Sequence, residues 1–205
     1  TRYLKEMKST YTDLGGNDVI TTGNGSNEII GGIGVDGITA GDGINVILGD
    51  SGEIVYSAAG TLSTVTATAI GTGGVDTILA GNGTNTIMAG SGKDSITAGS
   101  NSTSINVVLG DNGTVVYDIK GQVQTVTTTD AIAVTGDGDD DTITLGGVYN
   151  IVVGGMGNDT ITSGNATVNS TNTNLGDNGV ITWDVTGTRY LKEMKSTYTD
   201  LGGND

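Results

Sequence analysis

Histidine, cysteine, proline and phenylalanine are all missing from the 205 residues, and only 8 residues are basic. The first two absences remove whole classes of chemistry: there is no His-based triad, no thiol nucleophile, no conventional zinc site and no disulfide. Catalysis would have to rest on carboxylates, hydroxyls or lysine, so the composition argues against an enzyme. The lack of Cys is compatible with an extracellular setting. No apolar run approaches the ~18 residues of a membrane span, so membrane insertion is not expected. Against the 8 basic residues stand 23 acidic ones, a net charge of -15, which repels nucleic acid and attracts hard cations. Oxygen-ligated metal is the natural partner. What the chain has in excess is glycine, 37 residues of 205 against a usual ~7%. Such a chain packs by repetition or not at all.

Residues 1–18, TRYLKEMKSTYTDLGGND, recur unchanged as residues 188–205, which sets a period of 187. This identifies a stretch of a longer tandem array, with one unit at 1–187 and a restart at 188–205 in which Asp205 takes the place of Asp18. The overlap holds three basic and three acidic residues, so each unit carries the whole charge. Inside the unit LGDSG begins at Leu48 and LGDNG at Leu109 and Leu175, followed by EIVY, TVVY and VITW. One continuous segment of three modules is expected, with approximate bounds 13–70, 71–134 and 135–187.

Within modules the period is nine, clearest in GGIGVDGIT at residues 31–39 and GGMGNDTIT at 154–162. Each nonapeptide reads as a glycine turn followed by a short strand with an apolar residue before last. Those apolar residues are Ile20, Ile29, Ile38, Ile47, Ile78, Ile87, Ile96, Ile143, Val152 and Ile161. In the LGD segments Tyr56, Tyr117 and Trp183 share one register, with Tyr149 outside it.

These nonapeptides resemble the RTX repeat G-G-x-G-x-D-x-U-x of secreted bacterial proteins. Two copies match fully, and AGSGKDSIT at residues 89–97 departs only at its first residue. The resemblance implies an all-β fold, a parallel β-roll or β-solenoid of nine-residue half-coils. It also implies Ca²⁺ held between stacked turns by the Asp side chain and backbone carbonyls, at Asp36, Asp94 and Asp159. This chain departs from the pattern by alternation at the sixth position: Asp18, Asn27, Asp36, Asn45, then Asp76, Asn85, Asp94, then Asp141, Asn150, Asp159. In a β-roll, residues 18 apart stack on one edge and residues 9 apart lie on opposite edges, so one edge is Asp and the other Asn. Asp50, Asp111 and Asp177 join the Asp edge, because each opens the half-coil after an Asn turn with its carboxylate moved to the second position.

The expected metal ligands are therefore Asp18, Asp36, Asp50, Asp76, Asp94, Asp111, Asp141, Asp159 and Asp177. Carboxylates stacked at the ~4.8 Å strand repeat repel one another unless a cation lies between them, and Ca²⁺ accepts six to eight oxygens where Mg²⁺ demands a strict octahedron. Asn27, Asn45, Asn85 and Asn150 are expected to form a metal-free amide ladder. Asp, Asn and Gly favour turns in any case, but the regular spacing of 18 between like residues exceeds what composition supplies.

At the ninth position Thr21, Thr39, Thr97, Thr144 and Thr162 suggest one hydroxylated outer face, interrupted at Leu79, while Ile30, Leu48, Met88 and Val153 suggest an apolar one. An apolar stripe usually marks a contact, here with the inter-module segments or with a neighbouring filament. Each such segment can replace an Asn-edge turn, giving nine coils per unit, every third lengthened into a projecting hairpin, and an advance of about 43 Å. In RYLKEMKS, Tyr3 and Met7 have helical spacing, but the module counterparts TLSTVTATA and QVQTVTTTD are rich in Thr and Val, so a strand is expected. Arg2, Lys5 and Lys8 of this segment are expected on a solvated face.

The sequons at Asn101 and Asn165 are chance matches in a chain rich in Asn and Thr. Asp139 and Asp141 pair carboxylates as a glycosidase does, but the repeats suggest no pocket around them and no small-molecule substrate. The expected function is structural: a calcium-stabilised extracellular filament, stalk or adhesin shaft at a bacterial surface, partnered by neighbouring copies end to end or side by side. The alternative is an RTX secretion and folding block attached to a toxin or hydrolase, and a lesser one an ice-binding solenoid presenting its threonines. Identical tandem units suit length-building.

Overall fold

Glycines set the turns. Gly32 and Gly34 have φ of 109° and 139°, and Gly155 and Gly157 repeat this at 124° and 110°, a region that side chains disfavour. A computed structural model describes residues 4–10, 14–68, 70–129, 139–164 and 169–197. Arg2, Tyr3, the Asn165 sequon, Asp205 and the expected module boundary at 134–135 lie outside them.

The chain opens with β1 (Glu6–Lys8). The first module contains β2 (Val19–Thr21), β3 (Gly25–Ile30), β4 (Gly37–Ala40), β5 (Gly43–Leu48), β6 (Gly52–Tyr56) and β7 (Leu62–Ala67). The second contains β8 (Thr77–Ala80), β9 (Gly83–Met88), β10 (Ser95–Ala98), β11 (Ile105–Leu109), β12 (Gly113–Tyr117) and β13 (Val123–Thr128). The third contains β14 (Thr142–Leu145), β15 (Tyr149–Gly155), β16 (Thr160–Ser163), β17 (Thr171–Asp177) and β18 (Gly179–Asp184), and β19 (Tyr190–Ser196) follows in the restart. The fold is all-β, with no helix among the described residues. In the two copies of RYLKEMKS, Glu6–Lys8 forms β1 and Tyr190–Ser196 forms β19, so both are strand rather than helix there.

Three sheets result. Short strands pair in parallel in the order β16-β14-β10-β8-β4-β2, and long strands pair in parallel as β17-β15-β11-β9-β5-β3. The chain alternates between these two sheets. The third sheet is antiparallel, in the order β1-β6-β7-β12-β13-β18-β19.

Register stacks like on like. Ile20, Ile38, Ile78, Ile96, Ile143 and Ile161 form one row across the short-strand sheet. Ile29, Ile47, Ile87, Val108 and Val152 form the facing row across the long-strand sheet. With the alanines beside them these rows make the core between the two sheets, each buried aliphatic side chain contributing about 1.5–3 kcal/mol. On the outer surface of the short-strand sheet Thr39, Thr97, Thr144 and Thr162 are exposed.

The outer surface of the long-strand sheet is the apolar one, and the hairpins cover it. Leu48, Met88, Leu109 and Val153 pack there against Ile54, Val65, Val115, Val126 and Ile181 in a second core. This differs from the nine-coil arrangement that spacing suggests. The hairpins β6–β7, β12–β13 and β18–β19 do not replace an Asn-edge turn; the first two each interrupt an Asp-edge turn and fold back over the sheet. Gly32 N–H donates to Gly49 O at 3.0 Å and Asp50 N–H to Ala89 O at 3.0 Å, which puts the residues before the hairpin in the first half of the turn stack. Asp76, after the hairpin, completes the second half between Asp36 and Asp94. The physical reason is the apolar face: a sheet with two hydrophobic sides needs a layer on each. The two parallel sheets have six strands apiece, so a unit advances roughly 29 Å at the ~4.8 Å strand repeat rather than about 43 Å.

Candidate metal centre

Each Asp turn carries its carboxylate inward because small residues leave the space. A side chain at Gly31 would strike the Asp36 carboxylate and Gly49 O, and one at Gly110 the Asp141 carboxylate and Gly154 O. The sixth-position aspartates then form a ladder through the stack. Asp18 N–H donates to Asp36 Oδ1 at 2.7 Å, Asp36 N–H to Asp76 Oδ1 at 2.8 Å and Asp76 N–H to Asp94 Oδ1 at 2.7 Å. Asp94 N–H continues to Asp141 Oδ1 at 2.7 Å and Asp141 N–H to Asp159 Oδ1 at 2.9 Å.

One oxygen of the Asp36, Asp76, Asp94, Asp141 and Asp159 carboxylates is thereby held in place. The other oxygen, Oδ2 of Asp36, Asp76, Asp94 and Asp141, is buried with no hydrogen-bond partner. Asp50 and Asp111 converge on the same edge from the second position: Asp50 Oδ2 accepts from Ser91 N–H at 2.6 Å, and Asp111 Oδ2 accepts from Met156 N–H. Asp50 Oδ1 is buried and unpartnered as well. Asp177 pairs in register with Gly155 at the end of the row. The structure thus brings all nine aspartates to one side, six in the ladder and three beside it.

A row of buried carboxylates without a cation is electrostatically costly, and this pushes their protonation upward in pH. Burial, then the charge of Asp76, pushes Asp50 up to about 9. Burial, reinforced by the neighbouring Asp charge, pushes Asp76 up to about 7 and Asp94 up to about 8. Asp36 and Asp141 move upward for the same first cause. The basic groups lie elsewhere: Lys93 is exposed and pairs with Asp140 at 3.4 Å. Among the described residues no three acidic side chains gather as a cage around one point, so a cation here needs oxygens from the turn backbone too. These are at hand: Gly49 O lies beside Asp36 Oδ2 around Gly31, Ala89 O beside Asp76 Oδ2 around Gly49, and Gly154 O beside Asp141 Oδ2 around Gly110. Orphaned carboxylate oxygens interleaved with carbonyls are an all-oxygen donor set of the kind that Ca²⁺ accepts.

The opposite edge is an amide ladder. Asn27 Nδ2 donates to Asn45 Oδ1, Asn45 to Asn85, Asn85 to Asn106 and Asn106 to Asn150, each at 2.8 Å, and Asn150 to Asn172 at 2.7 Å. The same Nδ2 groups of Asn27, Asn45 and Asn85 also reach backbone oxygens of Gly23, Gly41 and Gly81 at 3.0 Å. Neutral donors and acceptors satisfy one another here, which leaves no call for a cation. Asn106 and Asn172 complete a ladder for which a count of nines finds only four members. Their signal is their place three residues before LGD, as for Asn45.

A family model described as the RTX calcium-binding nonapeptide repeat (4 copies) matches the chain at residues 12–47 and again at 70–105. These spans contain Asp18, Asp36, Asp76 and Asp94 of the ladder. The chain carries RTX repeats, and RTX nonapeptide repeats are calcium-binding. Comparison with curated proteins and with solved structures gave no significant match.

Proposed function

We propose that residues 1–187 are one unit of a calcium-held parallel β-roll that runs on through successive units as a non-catalytic extracellular shaft or filament at a bacterial surface. Ca²⁺ binds along the aspartate edge, with Asp18, Asp36, Asp50, Asp76, Asp94, Asp111, Asp141, Asp159 and Asp177 as its carboxylate ligands. It supplies the positive charge that the buried members of this row lack. The side chains do the rest: at Asp36, Asp76, Asp94 and Asp141 one oxygen is fixed by a backbone N–H and the second is left for the ion.

One observation carries the reading of continuity. The strand RYLKEMKS occurs twice and uses opposite edges in its two positions. In β1, Ser9 N–H donates to Gly52 O and Lys5 O accepts from Tyr56 N–H, each at 2.9 Å. In β19 it is Thr197, the equivalent of Thr10, whose N–H donates to Asn178 O at 2.8 Å. Successive residues of a strand direct their backbone groups to opposite sides, so these bonds are compatible in a single strand. In tandem units that strand would join β18 of one unit to β6 of the next, continuing the antiparallel sheet while the parallel sheets stack beneath it.

The test is a series of one-, two- and three-unit chains in calcium, measured by small-angle scattering. Each added unit is expected to lengthen the particle by roughly 29 Å at constant cross-section. Increments near 43 Å, or separate bodies joined by flexible links, would reject the continuous shaft.

A further inference from the structure

The hairpin tips border an open cavity that the repeat pattern does not show. It has a volume of about 380 Å³ between the outer surface of the long-strand sheet and the second and third hairpins. Thr84 and Ile105 contribute to its floor, Tyr117 and Tyr149 to its walls, Gln122 to its rim, and Arg189 also lines it.

Arg189 is the unusual member. Lys8, Lys93 and Lys195 all pair with carboxylates. Arg189 instead donates through Nη1 to Tyr149 Oη at 2.6 Å and through Nη2 to Val123 O at 3.2 Å. Its guanidinium lies 4.8 Å from the Trp183 ring centre and 5.5 Å from that of Tyr149. Its Nε is buried without a hydrogen-bond partner. In a chain of charge -15, a cation fixed by neutral groups through one hydrogen on each Nη, with the second hydrogen of each uncommitted, is arranged for an anion from outside. Guanidinium binds carboxylate in a planar two-point contact.

The other walls narrow the choice. Aromatic and aliphatic surface beside a hydroxyl and an amide suits a ring with one apolar face and several hydroxyls. The volume, near the low end of the ~300–1,000 Å³ of ligand pockets, suits one ring rather than a long chain. We propose that this cavity binds an acidic sugar, its carboxylate on Arg189, its ring between Tyr117 and Tyr149, and its hydroxyls toward Thr84 and Gln122. None of these residues belongs to the aspartate ladder, so the proposal stands apart from the calcium reading.

Trp183 is the sole tryptophan and stacks on Arg189, which makes its fluorescence the readout. The folded chain is titrated at fixed free calcium with glucuronate, glucose and acetate. A saturable change is expected with glucuronate, none with glucose, and a response at least about tenfold weaker with acetate, which has the charge without the ring. Arg189→Gln is expected to weaken the glucuronate response at least about tenfold with the far-ultraviolet circular dichroism unchanged. Should that variant fail to fold, Thr84→Val, an exposed substitution on β9, is expected to weaken glucuronate and leave acetate alone. No saturable response to glucuronate would overturn the proposal. So would glucose binding as well as glucuronate, or acetate binding as well, which would mean a bare anion contact.

Discussion

At Asp36, Asp76, Asp94 and Asp141 one carboxylate oxygen is tied to the backbone and the other is buried with nothing to meet it. Replacing Asp94 by Asn keeps the shape and the acceptor but removes the charge. D94N is therefore expected to lower calcium affinity and stability in calcium, yet to raise the stability of the metal-free chain at pH 9, by on the order of 1 kcal/mol or more. Denaturant titration in calcium, and refolding of the chelated chain by a stabilising osmolyte, check it, and a change of the same sign in both would contradict the role assigned to the charge. Asn85→Ala, on the other edge, is expected to cost about 1–3 kcal/mol by leaving ladder partners buried and unpaired, with calcium stoichiometry unchanged in calorimetry. The pH dependence follows from the same residues. Asp50, Asp76 and Asp94 have folded values of about 9, 7 and 8 against an ordinary 3.8. A raised folded value means that the folded state holds the proton more tightly. Without metal, the stability from these groups is full below about pH 3.8 and is lost as pH rises through the 7 to 9 range. Calcium competes with those protons, so the metal-free chain is expected to show a cooperative thermal transition at pH 5 and none at pH 9, where calcium restores it. A calcium effect independent of pH would contradict it.

At the scale of elements, the hairpins are the unusual addition, a third layer laid on the long-strand sheet. Ile54 is fully buried between that sheet and the hairpin strands. Ile54→Ala is expected to cost about 2–4 kcal/mol, measured by chemical unfolding in calcium; a loss below about 0.5 kcal/mol, typical of a surface site, would mean that the hairpin does not pack there. This layer is also where sequence and structure part. The nonapeptide period makes the two edges and the first core legible, because Asp, Asn and Ile recur at fixed offsets and a strand repeat converts offset into place. The hairpin segments carry only strand propensity and a Gly at each tip, Gly60, Gly121 or Gly187, and those are equally consistent with a third coil. What decides is the need to cover Leu48, Met88, Leu109 and Val153, a tertiary demand that no spacing encodes. Asn106 escapes the count for a local reason: residues 101–104, NSTS, lengthen the turn before it and shift it out of the run of nines.

At the scale of the whole molecule, three sheets share one stacking direction, and a net charge of -15 is concentrated in part on one buried edge. Hydrophobic layers alone bring the strands together, but they also bring the carboxylates to a spacing at which they repel. The account therefore makes the folded chain conditional on calcium, as with other proteins whose site exists only when folded. Circular dichroism of the 205-residue chain at neutral pH tests this most directly, with calcium at saturation and then with chelator in excess. The account predicts a β spectrum with a cooperative thermal transition in calcium and an unfolded spectrum in chelator, regained when calcium is restored. A chain that keeps its β spectrum and its thermal midpoint in chelator would contradict it.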